Sequence, residues 1–219
     1  MNDFKLINKH AFTSGDILLG AIDDLMIQSF ESTNIAKSTF DILYCDPPWG
    51  VGALKMFDTL NSKMNNVNKS TVCWETFVNC FPNIINKYSH NNSIVIIEMS
   101  IKYYDVFKNV IERETKFKLR QIFNTNYKSG STLRPLKIMY FSNENPLRFN
   151  ESIIKDTYGD DCTDKIIRQC AYDNAVILDP CCGFGRTLRM ANKYNMIFRG
   201  NEINKARLNK AIKYAERLI

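Results

Sequence analysis

The chain has 219 residues, of which 45% are hydrophobic and 24% are charged. These proportions are typical of a folded globular domain and exclude a disordered chain, a collagen-like repeat and a coiled-coil rod. We expect a single domain over residues 1–219, because this length suits one hydrophobic core. No apolar stretch approaches the roughly 20 residues of a membrane span and the first residues carry no signal-peptide pattern, so we expect a cytoplasmic protein without a membrane partner.

The charge of the chain is weak evidence for a binding partner, whereas its cysteine content indicates the redox compartment. The formal net charge of +6 favours a polyanion, although a basic balance by itself is common among proteins that bind no nucleic acid. The seven cysteines are an odd number and include no C-x-x-C pair. The sequence therefore predicts free thiols, a reducing compartment and no metal site.

Short apolar runs alternate with amphipathic segments along the chain. Nearly continuous apolar runs are typical of parallel strands covered on both faces, and they predict strands at residues 40–45, 93–97, 175–178 and 196–198. Apolar residues at helical spacing predict helices at residues 17–30, 103–113, 163–170 and 204–218. Strands that alternate with helices indicate an α/β fold with a doubly wound, mostly parallel sheet.

Two regions depart from this alternation. Residues 117–127 and 136–142 are extended and flank turn-forming residues, so they predict an antiparallel hairpin at the edge of the sheet. Residues 55–70 are rich in Asn, Lys and Ser and have little periodicity. We therefore expect a mobile loop within residues 51–80.

The first candidate site follows the predicted strand at residues 40–45 and consists of Asp46, Pro47, Pro48 and Trp49. Ligands of open α/β sheets bind beyond the carboxyl ends of strands. The prolines stiffen the turn and remove two N–H donors, which leaves backbone carbonyls and the carboxylate as acceptors. With the flat face of the tryptophan, these groups suit a planar ring that bears an exocyclic amine. A purely structural turn beside a core tryptophan is the alternative.

The second candidate site follows the predicted strand at residues 175–178. It contains Asp179, Cys181 and two glycines, Gly183 and Gly185, which allow a ligand to approach the backbone closely. A helix expected to begin near Thr187 offers unpaired N–H groups to an anion.

Two acidic residues extend this pattern. Glu202 ends the next predicted strand, where an acid binds ribose hydroxyls in nucleotide-binding α/β folds. Asp16 opens the first predicted helix and precedes Ile17. It either caps that helix or receives the adenine amine of a cofactor.

These motifs resemble those of the S-adenosylmethionine-dependent DNA amino-methyltransferases, in the permuted order of their β-like group. The family's D-P-P-[YW] motif is similar to residues 46–49. Its D-P-F-C-G-S-G-T cofactor loop is similar to residues 179–187, with Cys181 in place of Phe and Phe184 in place of a small residue. The resemblance extends from about Gly15 to Leu218 and implies a permuted, Rossmann-like methyltransferase fold.

The resemblance also implies the chemistry. S-adenosylmethionine would be the cofactor, with Asp16 and Ile17 at its adenine and Glu202 at its ribose. Thr163 and Lys165 resemble the family's T-x-K-P element only faintly, and they lie closer to the cofactor loop than is usual. An acid at position 46 implies adenine N6 rather than cytosine N4 as the methyl acceptor, in a base flipped out of the duplex.

A DNA partner requires contacts to phosphates. The candidates are basic residues of the expected loop and of the hairpin turn, namely Lys55, Lys63, Lys69, Lys128 and Arg134. Segment 51–80 and the turn at 128–135 are the candidate target-recognition segments, since residues 143–162 are too few for the long recognition region that relatives often carry. We therefore expect a short target, unless a homodimer or a second subunit contributes recognition.

Three other functions stay open at this point. An RNA adenine-N6 methyltransferase would use the same acceptor motif, and matched RNA and DNA oligonucleotides separate it from a DNA enzyme. A non-catalytic subunit of a methyltransferase complex would keep the fold without the chemistry. A methyltransferase for a protein or small-molecule amine is disfavoured by the net positive charge.

Overall fold

The computed structural model describes residues 6–7, 15–19, 40–63, 73–144, 146–202 and 204–216. Within these residues, eight strands form one mixed sheet in the order β1-β2-β8-β7-β3-β4-β6-β5. The strands are β1 (Leu6–Ile7), β2 (Gly15–Leu19), β3 (Phe40–Cys45), β4 (Ser89–Ser100), β5 (Lys118–Ser129), β6 (Thr132–Ser142), β7 (Val176–Asp179) and β8 (Ile197–Glu202).

Helices cover both faces of this sheet. They are α1 (Val51–Lys63), α2 (Trp74–Tyr88), α3 (Tyr104–Glu114), α4 (Glu151–Ile154), α5 (Gly159–Cys170), α6 (Arg186–Lys193) and α7 (Lys205–Glu216). On one face, side chains of β3 and β4 pack with α2 and α3 around Phe81 and Phe107. On the other face, alternate side chains of the same strands pack with α5, α6 and α7 around Ile166, Leu188 and Leu208. The predicted doubly wound α/β fold is confirmed.

The strand order places a crevice between β3 and β7. The run β2, β8, β7, β3 and β4 is parallel, whereas β6 and β5 continue the sheet antiparallel. From β3 the chain proceeds to β4 on one side, and from β7 it proceeds to β8 on the other side. Loops that leave two neighbouring strands in opposite directions open a ligand crevice at the carboxyl ends of those strands.

The helix predicted at residues 17–30 is wrong over residues 17–19. These residues belong to strand β2, which pairs in parallel with β8 through Ile17 opposite Gly200. A short apolar run is compatible with a helix or a strand. Here the stretch forms a strand because it pairs with β8. Residues 20–30 of the predicted helix lie outside the described residues.

The mobile loop predicted within residues 51–80 is also wrong where the structure describes it. Helix α1 follows the Asp46–Trp49 turn directly and α2 begins at Trp74, while residues 64–72 lie outside the described part. The polar composition concealed the buried contacts, because Leu54 of α1 and Phe77 of α2 both belong to the core. Tertiary burial of one helix face outweighs weak local periodicity.

The predicted hairpin is confirmed and is longer than expected. Strands β5 and β6 pair from Lys118 opposite Ser142 up to Ser129 opposite Thr132, so the turn is shorter than the sequence indicated. Pro135 lies within β6, beyond the last pair between β4 and β6, which is Ser100 opposite Leu136. The N–H that proline lacks is therefore not needed by β4.

None of the helices in the described ranges is both long and apolar enough to cross a membrane.

Candidate active site

A cavity of about 730 Å³ opens where β3 and β7 end. Its wall includes Asp46 and Trp49 from the turn after β3, Cys181 and Gly183 from the loop after β7, and Glu202 from the end of β8. The two motifs that the sequence singled out therefore face the same space. A cavity of roughly 300–1,000 Å³ with mostly apolar walls and a few polar groups is typical of sites for small organic ligands.

The turn after β3 is short and rigid. The Gly50 N–H donates to the Pro48 carbonyl at 3.2 Å, and the Leu54 N–H donates to the Gly50 carbonyl at 3.1 Å, so α1 starts at once. The Asp46 side chain is 36% exposed and lines the cavity. The sequence folds in this way because buried β3 ends at Cys45 and the prolines prevent the strand from continuing.

The hairpin also contributes to the cavity wall. Tyr127 of β5 packs nearly perpendicular to the Trp49 ring, with 4.5 Å between ring centroids and 73° between ring planes. Tyr127 and Ser129 line the cavity together with the Asp46–Trp49 turn. The sequence predicts the hairpin at the sheet edge but gives no sign of Tyr127, because the pairing register that brings it to Trp49 is a long-range property.

Asp46 carries an unusual charge balance. Although part of the side chain reaches the cavity, desolvation of the carboxyl and then the negative charge of Glu98 raise its pKa, and the resulting pKa is about 8. The Arg186 guanidinium lowers it from 3.6 Å away. The carboxyl is therefore poised to gain or lose a proton near neutral pH.

A buried polar network lies beside Asp46. Glu98 of β4 is only 4% exposed. Its Oε1 accepts from the Tyr44 hydroxyl at 2.5 Å, from Arg186 Nη1 at 3.1 Å and from the Thr163 hydroxyl at 3.3 Å. Because the acid has a cation and two hydroxyl donors, its burial is compensated.

Glu98 and Arg186 are not among the site residues predicted from the sequence. A signal for the first was present: Glu98 is the only charged residue in the apolar strand that follows His90, and it lies near the carboxyl end of that strand. Arg186 lies within the predicted cofactor loop at residues 179–187, and its position in the sequence indicates no separate role.

The loop after β7 is held by hydrogen bonds to Asp179. One carboxylate oxygen accepts from the Cys181 N–H at 3.0 Å and the other accepts from the Thr187 hydroxyl at 2.5 Å. Burial raises the pKa of Asp179 to about 7, and the Thr187 hydrogen bond opposes that rise. The Cys182 N–H donates to the Asn201 carbonyl at 2.9 Å, which ties the loop to β8.

The two glycines of this loop have different roles. Both have a positive φ, +55° at Gly183 and +80° at Gly185. A Cβ at Gly185 would lie 2.9 Å from the Ala211 Cβ, so helix packing against α7 requires this glycine. A Cβ at Gly183 would have only the Cys181 carbonyl oxygen near it, at 4.0 Å, and Gly183 lines the cavity. Gly185 therefore has a packing role that the sequence did not indicate, and its place beside a cofactor stays a prediction.

Glu202 supports the same loop. Its Oε2 accepts from the Gly183 N–H at 2.8 Å, and its Oε1 accepts from the Asn204 N–H at 2.7 Å. The side chain is 5% exposed and lines the cavity. Because a carboxylate offers about four acceptor positions, it can hold the loop and still accept from a ligand.

An aromatic and cationic cluster lies on another wall. The Arg207 guanidinium is 4.6 Å from the Phe57 ring centroid and 5.8 Å from the Phe184 ring centroid. All three side chains line the cavity, and they connect α1, the loop after β7 and α7. No local sequence pattern links them, because they come from three distant segments.

The fold of this chain is similar to that of several solved proteins, a DNA methyltransferase among them. M1.HpyAVI, which has also been solved in complex with SAM, matches with a TM-score of 0.63 and 16% identity over 90% of this chain and 97% of that chain. The cytosine-N4-specific PvuII DNA methyltransferase matches with a TM-score of 0.62 and 12% identity over 98% and 90% of the two chains. TTHA0409 from Thermus thermophilus, solved with S-adenosyl-L-methionine, matches with a TM-score of 0.58 and 10% identity over 91% and 92%.

The chain has a Rossmann-like methyltransferase fold. No family model matches its sequence, and no curated protein matches it either.

Within this methyltransferase fold, the remaining predicted cofactor residues lie on β2 and α5. Asp16 and Ile17 belong to β2, beside β8, so the alternative in which Asp16 caps a helix is wrong. Thr163 is buried against Glu98, and Lys165 pairs with Asp161 at 3.2 Å. Neither Thr163 nor Lys165 lines the cavity, whereas Asp160 of α5 does.

The predicted phosphate-binding residues are spread over two elements. Lys55 is exposed on α1, and Lys128 and Arg134 are exposed near the tip of the hairpin. Lys63 is the last residue of α1, and Lys69 lies outside the described residues. Hairpin residues Tyr127 and Ser129 line the cavity, so the hairpin carries positive charge close to the site.

Proposed function

We propose that this protein transfers a methyl group from S-adenosylmethionine to a base of DNA, and that the acceptor is N6 of adenine. The observation that carries the proposal is the meeting of the Asp46–Trp49 turn and the Asp179–Thr187 loop in one cavity at adjacent strand ends. Similar structures support both the DNA substrate and the cofactor: one is a DNA methyltransferase, and two have been solved with SAM.

The residues around the loop after β7 fit the cofactor. Glu202 accepts two backbone N–H groups and keeps acceptor positions for the two ribose hydroxyls. The amino terminus of α6 offers backbone N–H groups to a carboxylate. Cys181 and Phe184 give this wall an apolar surface, and β2, with Asp16 and Ile17, is the proposed adenine side.

Asp46 and the Pro47 carbonyl are the proposed acceptors for the hydrogens of the base amine. The Pro48 carbonyl already accepts from the Gly50 N–H, which leaves Pro47 as the second acceptor of the turn. S-adenosylmethionine, when bound, supplies an electrophilic methyl group on its sulfonium. The residues of this chain would act by holding the amine nitrogen in position to react, and the ionised form of Asp46 would accept the proton that the methylated nitrogen releases.

The base must leave the helix to reach Asp46. Flipping a base costs a few kcal/mol, and stacking on an aromatic ring returns roughly 1–3 kcal/mol. Trp49 lines the cavity and offers its ring for stacking, and Tyr127 packs nearly perpendicular against that ring. We therefore assign base stacking to Trp49 and support of its orientation to Tyr127.

The decisive experiment identifies the methylated nucleoside. The purified chain is incubated with labelled S-adenosylmethionine and duplex DNA of mixed sequence, and the digested nucleosides are separated by mass spectrometry. We expect N6-methyladenine. N4-methylcytosine would replace the adenine assignment with the specificity named for the PvuII enzyme. Preference for matched RNA would contradict DNA as the substrate, and failure to bind the cofactor in calorimetry would indicate a non-catalytic subunit.

Removing the hairpin cations tests the nucleic-acid interface. Replacing Lys128 and Arg134 together by serine is expected to weaken DNA binding across sequences. If each contacts one phosphate, the log–log slope of affinity against salt falls by about 0.9 per residue. The matched control replaces Lys87 and Lys116, which are exposed near the amino end of β4, away from the hairpin tip. If both double variants lost DNA affinity equally, the hairpin would not be the DNA-binding surface.

Truncating Glu202 tests the cofactor wall. Glu202→Ala leaves the Gly183 and Asn204 N–H groups without their acceptor, and an unsatisfied buried group costs about 1–3 kcal/mol. We expect cofactor affinity, measured by calorimetry, to fall roughly tenfold or more, with DNA affinity at low salt unchanged. Glu75→Ala, at an exposed position of α2, is the control. If Glu202→Ala bound the cofactor with unaltered affinity, Glu202 would not be a cofactor-binding residue.

A further inference from the structure

Arg186 lies at the centre of three carboxylates. It is the first residue of α6, and its guanidinium is 3.6 Å from Asp46 Oδ2, 3.1 Å from Glu98 Oε1 and 3.2 Å from Asp160 Oδ1. The three acids come from the turn after β3, from β4 and from α5. A single cation therefore connects the proposed catalytic acid with a buried acid and with the helix that precedes β7.

Glu98 explains why an arginine occupies this place. A carboxylate that is almost fully buried requires a cation and further donors. Arg186 Nη1 donates to both oxygens of Glu98, at 3.1 and 3.2 Å. The guanidinium has five N–H donors in a rigid plane, so it can satisfy Glu98 and still face Asp46. Tyr44 also donates to Oε1 of Glu98, which limits where the acid can move.

We propose that Arg186 is a positioning residue for methyl transfer: anchored by Glu98, its guanidinium favours the ionised form of the Asp46 carboxyl and directs it into the cavity. This inference rests on the proposed function, because it assigns to Arg186 the control of the group that accepts the amine hydrogens. Asp160 also pairs with the guanidinium, through Nε.

The groups that face Asp46 act on its charge with opposite signs. Glu98 from β4 and Asp179 from β7 raise the pKa of Asp46, whereas Arg186 from α6 and the Trp49 indole lower it. The other ionisable neighbours are neutral near pH 7, because the pKa of each is raised: Tyr44, Cys45 and Cys181. Removing Glu98 or Arg186 therefore moves the Asp46 titration in opposite directions, which loosened packing would not do.

The experiment follows the Asp46 carboxyl directly. Protein labelled with ¹³C at aspartate side-chain carboxyls is titrated by NMR, and Asp46→Asn identifies the signal. Arg186→Met is expected to move the Asp46 midpoint to higher pH by about one pH unit or more, since an opposite charge within about 4–6 Å has an effect of that size. Glu98→Gln is expected to move the midpoint to lower pH. Arg186→Lys keeps the charge and is expected to stay closer to wild type.

A double variant in the same set controls for loss of folding. Arg186→Met leaves Glu98 buried without its cation, so the double variant Glu98→Gln/Arg186→Met removes both charges together. Its midpoint is expected between those of the single variants. Lys193→Met, on the same helix but paired with Asp164, is expected to leave the midpoint unchanged. Midpoints that do not move, or that move in the same direction in both single variants, would overturn the proposal.

The activity measurement separates this proposal from the proposed function. The pH profile of kcat is expected to follow the NMR midpoints, while KM for the cofactor changes less than about twofold because Arg186 acts on Asp46. Titration shifts as expected, without methyl transfer by the wild-type protein on any nucleic acid, would contradict the proposed function alone. If the variants transferred methyl groups with a pH profile that did not follow their Asp46 midpoints, only the positioning role would be contradicted.

Discussion

Asp46→Asn is expected to reduce the rate of methyl transfer by about 10²–10⁴-fold, which is the range that a positioned proton acceptor contributes. The amide keeps the size of the side chain but cannot take up a proton. Cofactor affinity is expected to stay near that of wild type, because the cofactor wall is built by the loop after β7 and by Glu202. Single-turnover rates and calorimetry measure the two quantities, and near-normal turnover would exclude Asp46 as the acceptor.

The same variant is expected to raise stability above neutral pH. The unfolded carboxyl ionises near pH 3.9, whereas burial raises the pKa of the folded carboxyl to about 8. Between these values the folded protein binds more protons, so its free energy of unfolding falls as pH rises. Asparagine has no such dependence, and the Tm difference in favour of Asp46→Asn should grow from pH 4 to pH 8. Asp173→Asn, at an exposed position, is the control.

The paired variants Gly185→Ala and Gly183→Ala are expected to separate folding from binding. At Gly185 the new Cβ would lie 2.9 Å from Ala211 and 3.3 Å from Leu188, at a φ of +80°. Left-handed backbone costs an L-residue about 1–2 kcal/mol, and overpacking costs about 1–3 kcal/mol more. Against a total stability of about 5–15 kcal/mol, Gly185→Ala should lower the denaturation midpoint strongly.

Gly183→Ala shares the positive φ but lacks the steric conflict, since its Cβ would find only a carbonyl oxygen at 4.0 Å. We expect a smaller loss of stability, from the backbone term alone. The new methyl group lies on the cavity wall, so cofactor affinity is expected to fall. Urea denaturation and calorimetry of both variants test this division. Equal destabilisation, with equal cofactor affinity, would show that the two glycines have the same role.

Local patterns in the sequence were sufficient for much of the fold and for the two motifs. The strand at Phe40–Cys45 was predicted at its observed bounds, because a buried parallel strand is a continuous apolar run that a proline turn ends. The hairpin was predicted from its turn-forming residues. The loop after β7 was predicted to follow a strand and precede a helix, as it does.

Long-range contacts decided the rest. Gly15–Leu19 is a strand because β8 offers it a parallel neighbour, and α1 is a helix because Leu54 is buried in the core. Neither property is present in the local sequence.

The charge of the site was decided in the same way. Glu98 and Arg186 are 88 residues apart in the chain, and only the order of β7, β3 and β4 places both beside Asp46. The sequence by itself determined where acceptors and glycines follow strands, since those depend on neighbouring residues. The protonation of Asp46 and the packing reason for Gly185 depend on which distant side chains surround them, and only the tertiary structure decided these.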